Sequence, residues 1–228
     1  MTNTDTITIG LIEDQLLFRE GMKNILNHSS GNRFKVVFES GDGYSVIGKL
    51  TNSKEVPNVM LVDLSLPPTP DKKEFSGLDV TQALINNYPD IKILILSVHD
   101  DDNFIADLIE HGAHGYLVKD SDPQEVFTAI ESVFHKGTYI NEQTLKAIQT
   151  RMGKKAVKKK INIEITKREE EILQLVCQQY TAEEIAQKLY ISVKTVNGHR
   201  NNLLLKTHSK NVTGLVLYAV KNHIVEVF

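Results

Sequence analysis

Short apolar runs alternate with longer amphipathic stretches over the first two-thirds of the chain. The short runs are ITIGLI (7–12), FKVVFE (34–39), NVMLV (58–62), IKILILS (91–97) and GYLV (115–118). They are rich in Ile and Val and apolar at consecutive positions, which predicts strands buried on both faces, as in a parallel sheet. Between them, apolar residues at helical spacing predict helices near 15–28, 43–51, 77–87, 101–111 and 122–135. The last has a clear start, with Asp122 as N-cap and Pro123 at the first helical position. Strand followed by helix, five times over, predicts a doubly wound α/β domain around a five-stranded parallel sheet.

After about residue 140 the pattern changes. The stretch TRMGKKAVKKKINIE holds Arg151 and Lys154, Lys155, Lys158, Lys159 and Lys160, with only scattered apolar residues. It reads as a solvated linker, with a supplementary contact to DNA phosphates as the alternative. Beyond it only helices are predicted. TKREEEILQLVCQQ opens with Thr166 and has Glu169 three residues on, a capping-box pattern. Thr181, Ser192 and Asn211 are N-cap candidates for three further helices. The domains expected are therefore 1–138, a linker 139–161 that is basic in its C-terminal part, and an all-α domain 162–228.

Composition narrows the class. The chain has 228 residues, enough for one or two domains, and 41% hydrophobic content supports real cores. The single cysteine, Cys177, excludes a disulfide within the chain and fits a reducing compartment. The N-terminal MTNTDTITIG has neither a basic nor an apolar signal-peptide region, and no apolar run approaches a membrane span. A cytoplasmic protein without membrane contact is expected. The net charge of −3 is uninformative alone, because basic residues can be segregated.

In an open parallel sheet, functional groups gather at the carboxyl ends of the strands. Here those ends carry Glu13 and Asp14, then Asp63, Ser97 and Lys119. If strands one, three, four and five lie side by side, the five side chains converge. Three carboxylates repel one another, and a hard divalent cation such as Mg²⁺ offsets that cost. The lysine and the serine hydroxyl suit a phosphoryl group beside the ion, and a central aspartate suits a phosphoryl acceptor.

At these residues a family resemblance enters. LIEDQ, LVDLSLP, ILILSVHD and GAHGYLVKDSDP resemble the signature segments of bacterial response-regulator receiver domains, over about residues 5–135. The resemblance implies a flavodoxin-like fold, with Asp63 phosphorylated from a sensor histidine kinase. It implies Mg²⁺ held by Glu13, Asp14, Asp63 and the backbone carbonyl of Ser65. It implies Ser97 and Lys119 as phosphoryl contacts and Tyr116 as an aromatic switch, and no turnover of an external substrate. Two departures stand out: Glu13 replaces the commoner Asp, and PTPDKKEFS lengthens the loop before Gly77. That loop, Pro68 to Ser76, is either an inert insertion, or a determinant of kinase choice or a fixed, partly closed lid. An aspartyl-phosphate hydrolase of the haloacid-dehalogenase type is the enzyme alternative; it needs a second Asp two residues after the first, where this chain has Ser65.

Charge is sorted in the helical domain. No acidic residue lies between Glu184 and Glu226, a span that holds Lys188, Lys194, Arg200, Lys206, Lys210 and Lys221. Such a surface suits a polyanion. TAEEIAQKLYISVKTVNGHRNNLLLK reads as helix-turn-helix, with Val196, His199 and Leu203 facing the core and Lys194, Thr195, Asn197, Arg200, Asn201 and Lys206 on or near the outer face. It resembles the DNA-binding domain of NarL/LuxR-type regulators. The resemblance implies a recognition helix near 192–206, DNA contacts from Lys194, Thr195, Asn197, Arg200 and Asn201, and a structural role for Glu169; Lys206 is added as a further candidate. Together the two halves imply a two-component transcription factor that dimerises on phosphorylation and binds double-stranded DNA, with RNA polymerase as a further potential partner. A chain acting through protein contacts alone is the other alternative, and the acid-free span argues against it.

Overall fold

The structure, a computed structural model, describes residues 6–98, 102–154, 165–222 and 224–225. Five strands run parallel in the order β2-β1-β3-β4-β5: β1 (Ile7–Ile12), β2 (Phe34–Ser40), β3 (Val59–Asp63), β4 (Lys92–Ser97) and β5 (Gly115–Val118). Strands one, three, four and five are thus neighbours, as convergence of the five polar residues requires. Helices α1 (Leu16–Asn24), α2 (Val46–Thr51), α3 (Gly77–Asn87), α4 (Asp102–Glu110) and α5 (Pro123–Lys136) follow the strands.

Successive strand residues point to opposite faces, and both faces are covered. Ile9, Leu61, Leu94 and Leu117 pack with Val126, Phe127 and Ile130 of α5. Met60, Val62, Ile93 and Ile95 pack on the other side with Val46, Val80, Leu84, Ile105 and Leu108. The first helix departs from expectation: α1 stops at Asn24, and a π-helical turn, Ile25–Ser29, replaces its last stretch. The Pro68–Ser76 loop is anchored at one end only. Phe75 packs beside Val80 and Leu66, and Ser76 caps α3 reciprocally with Asp79, while Asp71, Lys72, Lys73 and Glu74 are exposed.

A sixth helix, α6 (Glu142–Lys154), forms where the sequence pattern predicts only linker. It packs along α4 and buries Thr144, Ala147 and Ile148. The remainder of the basic stretch, 155–164, lies outside the described residues. Four helices complete the chain: α7 (Lys167–Cys177), α8 (Ala182–Leu189), α9 (Val193–Thr207) and α10 (Val212–Lys221). Every expected cap is made. Thr166 and Thr181 form capping boxes with Glu169 and Glu184, Ser192 accepts from the Thr195 amide, and Asn211 accepts from the Gly214 amide. Ile172, Leu173, Ile185, Val196, Leu203 and Leu215 are buried at the centre of this bundle.

The two parts touch through directional contacts. Asn211 Nδ2 donates to the carbonyls of Gly112 and Ala113, at 2.7 and 3.2 Å. Thr213 Oγ1 bonds the His114 carbonyl and Thr138 Oγ1, each at 2.9 Å. Lys221 pairs with Glu110 at 2.6 Å.

Candidate functional site

Each strand end delivers one part of the acidic site. β1 runs into Glu13 and Asp14, β3 ends on Asp63, β4 ends on Ser97, and Lys119 follows β5. Asp63 pairs in register with Leu96, so Ser97 is the next residue on the neighbouring strand, and the Lys119 amide donates to the Ser97 carbonyl at 2.8 Å. Carboxylate oxygens of Glu13, Asp14 and Asp63 lie within 4.8 Å of one another. Glu13, Asp63 and Ser97 are buried, while Asp14 is exposed.

Lys119 holds the buried pair. Its Nζ lies 2.8 Å from Glu13 Oε2 and 2.9 Å from Asp63 Oδ2. These are ion-pair distances without hydrogen-bond alignment, since both oxygens are buried and lack a hydrogen-bond partner. Burial pushes the Glu13 carboxyl above its usual range; the charge of Asp63 adds to this and Lys119 opposes it. Burial alone would lower Lys119, but its pairing with Glu13 and Asp63 outweighs that and raises it.

Three convergent carboxylates, two with buried oxygens that face only the Lys119 ammonium among the described residues, are the donor set of a hard cation. Glu13, Asp14 and Asp63 therefore fit Mg²⁺. Ser65 is exposed just past Asp63, and its amide donates to Asp63 Oδ1 at 3.2 Å, fixing the turn on which its carbonyl lies. Tyr116 is fully buried on β5, in the core beside Ile95 and Ile105.

Two supporting residues were not singled out by the sequence pattern. Phe18 places its ring 4.9 Å below the Lys119 ammonium, a cation–π contact. Arg19 donates to the Glu13 carbonyl, tying α1 to the site. Both read in sequence as ordinary positions of an amphipathic helix. Gly77 is a third constraint: a Cβ there would sit 2.5 Å from the Asp63 carbonyl oxygen, so only glycine lets α3 start this close to the phosphoacceptor candidate.

The candidate DNA residues divide into three groups. Lys194 and Thr195 are exposed at the start of α9. Asn197, Arg200 and Asn201 instead line a cleft against the first domain, and Arg200 Nη2 donates to the Lys136 carbonyl at 3.2 Å. Lys206 differs from its expected outward role. It pairs at 2.7 Å with buried Glu169, compensating a carboxylate that burial would otherwise penalise. Burial pushes that carboxyl up, but Lys206 and the two Thr166 hydrogen bonds outweigh it and leave it below its usual range. Val196 and Leu203 face the core, and His199 is half-buried beside them. Burial pushes the Cys177 thiol up to about 12, which disfavours the nucleophilic thiolate.

A five-stranded parallel sheet with acids, serine and lysine at its carboxyl edge, followed by a capped helix-turn-helix, defines a receiver joined to a DNA-binding module. Comparison with known proteins agrees. Residues 9–131 match the response regulator receiver domain, and residues 164–219 match the bacterial regulatory proteins of the luxR family. The transcriptional regulatory protein DegU of Brevibacillus brevis is 33% identical over 241 residues, covering 99% of this chain and 98% of its own. The oxygen regulatory protein NreC of Staphylococcus aureus is 32% identical, covering 96% of this chain and 99% of its own. Among solved structures, RcsB of Salmonella typhimurium matches in fold, with a TM-score of 0.56 at 20% identity over 94% of this chain and 98% of that one. The chain belongs to the LuxR-type response regulators, the DNA-binding transcription regulators of two-component systems. Among the described residues no helix is long and apolar enough to cross a membrane.

Proposed function

We propose that Asp63 accepts a phosphoryl group from a sensor histidine kinase and that this controls DNA binding by α9. The observation that carries the reading is the buried Asp63–Lys119–Glu13 arrangement at the sheet edge, with Asp14 beside it. An Asp63 oxygen forms the new O–P bond as the P–N bond of the phosphohistidine breaks. The ring nitrogen leaves with the electron pair and takes up a proton from water. Lys119 then pairs with a phosphoryl oxygen in place of the free carboxylate, and the Ser97 hydroxyl donates to another. Mg²⁺, held by Glu13, Asp14, Asp63 and the Ser65 carbonyl, would neutralise phosphoryl charge as the group transfers.

Phosphorylation changes what Lys119 and Ser97 must satisfy, and these sit at the ends of β5 and β4, with Tyr116 on the same strand as the candidate relay. The α4, β5 and α5 region they adjoin also carries the contacts to the helical domain, through Glu110, Gly112, Ala113, His114 and Lys136. Asn197, Arg200 and Asn201 face that region, so full use of α9 in a major groove requires the domains to part. Parting frees Lys194, Thr195, Asn197, Arg200 and Asn201 for phosphates and base edges and allows a homodimer to match two half-sites. Double-stranded DNA as target places the activity in the cytoplasm, with RNA polymerase as a further contact.

The test is incubation of the chain with Mg²⁺ and a small phosphodonor, with Asp63→Ala in parallel. A covalent phosphate, dimerisation and tighter operator binding are expected for the unaltered chain only. Identical behaviour of the two forms overturns the reading.

A further inference from the structure

The cleft between the domains has the charge of a binding site. Its volume is about 620 Å³, within the range of small-ligand pockets. Four cations line it, Lys92, Lys136, Arg200 and Lys210, against one carboxylate, Asp90. None of the four has a carboxylate at ion-pair distance among the described residues. Arg200 donates to the Lys136 carbonyl, and Lys210 donates to Gln82 Oε1 and the His111 carbonyl, all neutral acceptors.

Burial disfavours the charge on Lys92; attraction to Asp90 opposes this and exceeds the repulsion that Arg200 adds. Burial likewise disfavours charge on Arg200, and the nearby Glu183 opposes this only in part. Closing the domains therefore brings unlike surfaces together around like charges. Lys92, Lys136 and Arg200 are half-buried and Lys210 is exposed; partly desolvated cations without a paired carboxylate are costly, and a multivalent oxyanion offsets that cost. An Arg fork and three ammonium groups suit phosphoryl oxygens.

We infer that this cleft binds a small polyphosphate, bridging Lys92 and Lys136 of the receiver to Arg200 and Lys210 of the helical domain. The site itself rests on the closed arrangement. Its consequence rests on the reading of α9: a bound polyphosphate holds Arg200 against the receiver and withholds it from DNA.

The probe is inorganic tripolyphosphate, titrated calorimetrically into the full chain without divalent cations and at fixed ionic strength. One site per chain is expected. Lys92→Met, which removes a receiver charge remote from DNA, should weaken binding about tenfold, the loss of one charge-assisted contact. Lys92→Arg should restore it, and Lys194→Ala, at the exposed start of α9, should leave it unchanged. Absence of binding, equal binding by Lys92→Met, or loss of binding in Lys194→Ala each overturns the site. The DNA reading is judged separately, by operator binding of Lys194→Ala without polyphosphate.

Discussion

Lys119 is the residue on which the buried acids depend, since Glu13 and Asp63 are each almost fully buried and both oxygens facing it lack another donor. Removing one partner of such a cluster leaves uncompensated charge in a low-dielectric place, at a cost of about 3–5 kcal/mol. Lys119→Met should therefore lower the urea midpoint sharply in chelator, and added Mg²⁺ should recover part of the loss. A midpoint insensitive to Mg²⁺ in this variant argues against Glu13, Asp14 and Asp63 as a cation site. His114 makes the chain acid-sensitive in another way. Burial, with the Lys92 charge adding to it, lowers its imidazole from 6.5 to about 3, and its Nδ1 accepts the Ile93 amide, which requires the neutral ring. The unfolded chain takes up this proton below about pH 6.5 and the folded chain does not. The stabilisation is thus complete above that pH and falls by about 1.4 kcal/mol per unit on the way down towards 3. Between pH 7 and 5.5, where surface carboxylates stay ionised, the chain should lose about 1 kcal/mol in denaturant titrations that His114→Gln does not lose.

Among the elements, α9 is helical throughout Val193–Thr207 despite an interior glycine. Gly198 sits in its interior, and a Cβ added there meets nothing within 4 Å. Packing within the chain does not require glycine, which costs roughly 0.5–1 kcal/mol relative to alanine. Gly198→Ala should raise stability by that amount. If the backbone approaches DNA closely, it should also weaken operator binding several-fold; undiminished affinity removes that role. The elements show which features can be read from sequence. Strands β1 to β5 were legible because burial on both faces leaves consecutive apolar residues, and the caps at Asp122, Thr166, Thr181, Ser192 and Asn211 because each is a local hydrogen bond. Helix α6 was not, since its few buried residues, Thr144, Ala147 and Ile148, make a helical face only once α4 lies against it. The five polar strand ends were legible through the sheet's topology. Phe18 and Arg19 were not, because their spacing fits any amphipathic helix and only the fold carries them to Lys119 and Glu13.

At the scale of the whole molecule, a hydrophobic pattern marks a face without saying what covers it. Val196 and Leu203 correctly mark the core side of α9, but nothing in their spacing turns Arg200 towards the end of α5. That orientation comes from complementarity between two folded surfaces, of which Thr213 is the most buried polar part. Its hydroxyl bonds the His114 carbonyl and Thr138 Oγ1 and is wholly shielded from water. Thr213→Val keeps the shape and deletes both bonds. The His114 carbonyl keeps the Tyr139 amide as donor, whereas Thr138 Oγ1 loses its Thr213 partner. Closure should weaken by about 1–2 kcal/mol, a factor of roughly 5–30 in the balance between closed and open arrangements. Thr213 lies on α10, away from the exposed start of α9, so DNA contacts stay intact. In an Asp63→Ala background, where phosphorylation is excluded, operator affinity of Thr213→Val should therefore rise by up to that factor. Affinity that does not move, in a chain whose melting temperature shows the helical domain folded, means that the interface does not restrain α9 and that phosphorylation must act through dimerisation alone.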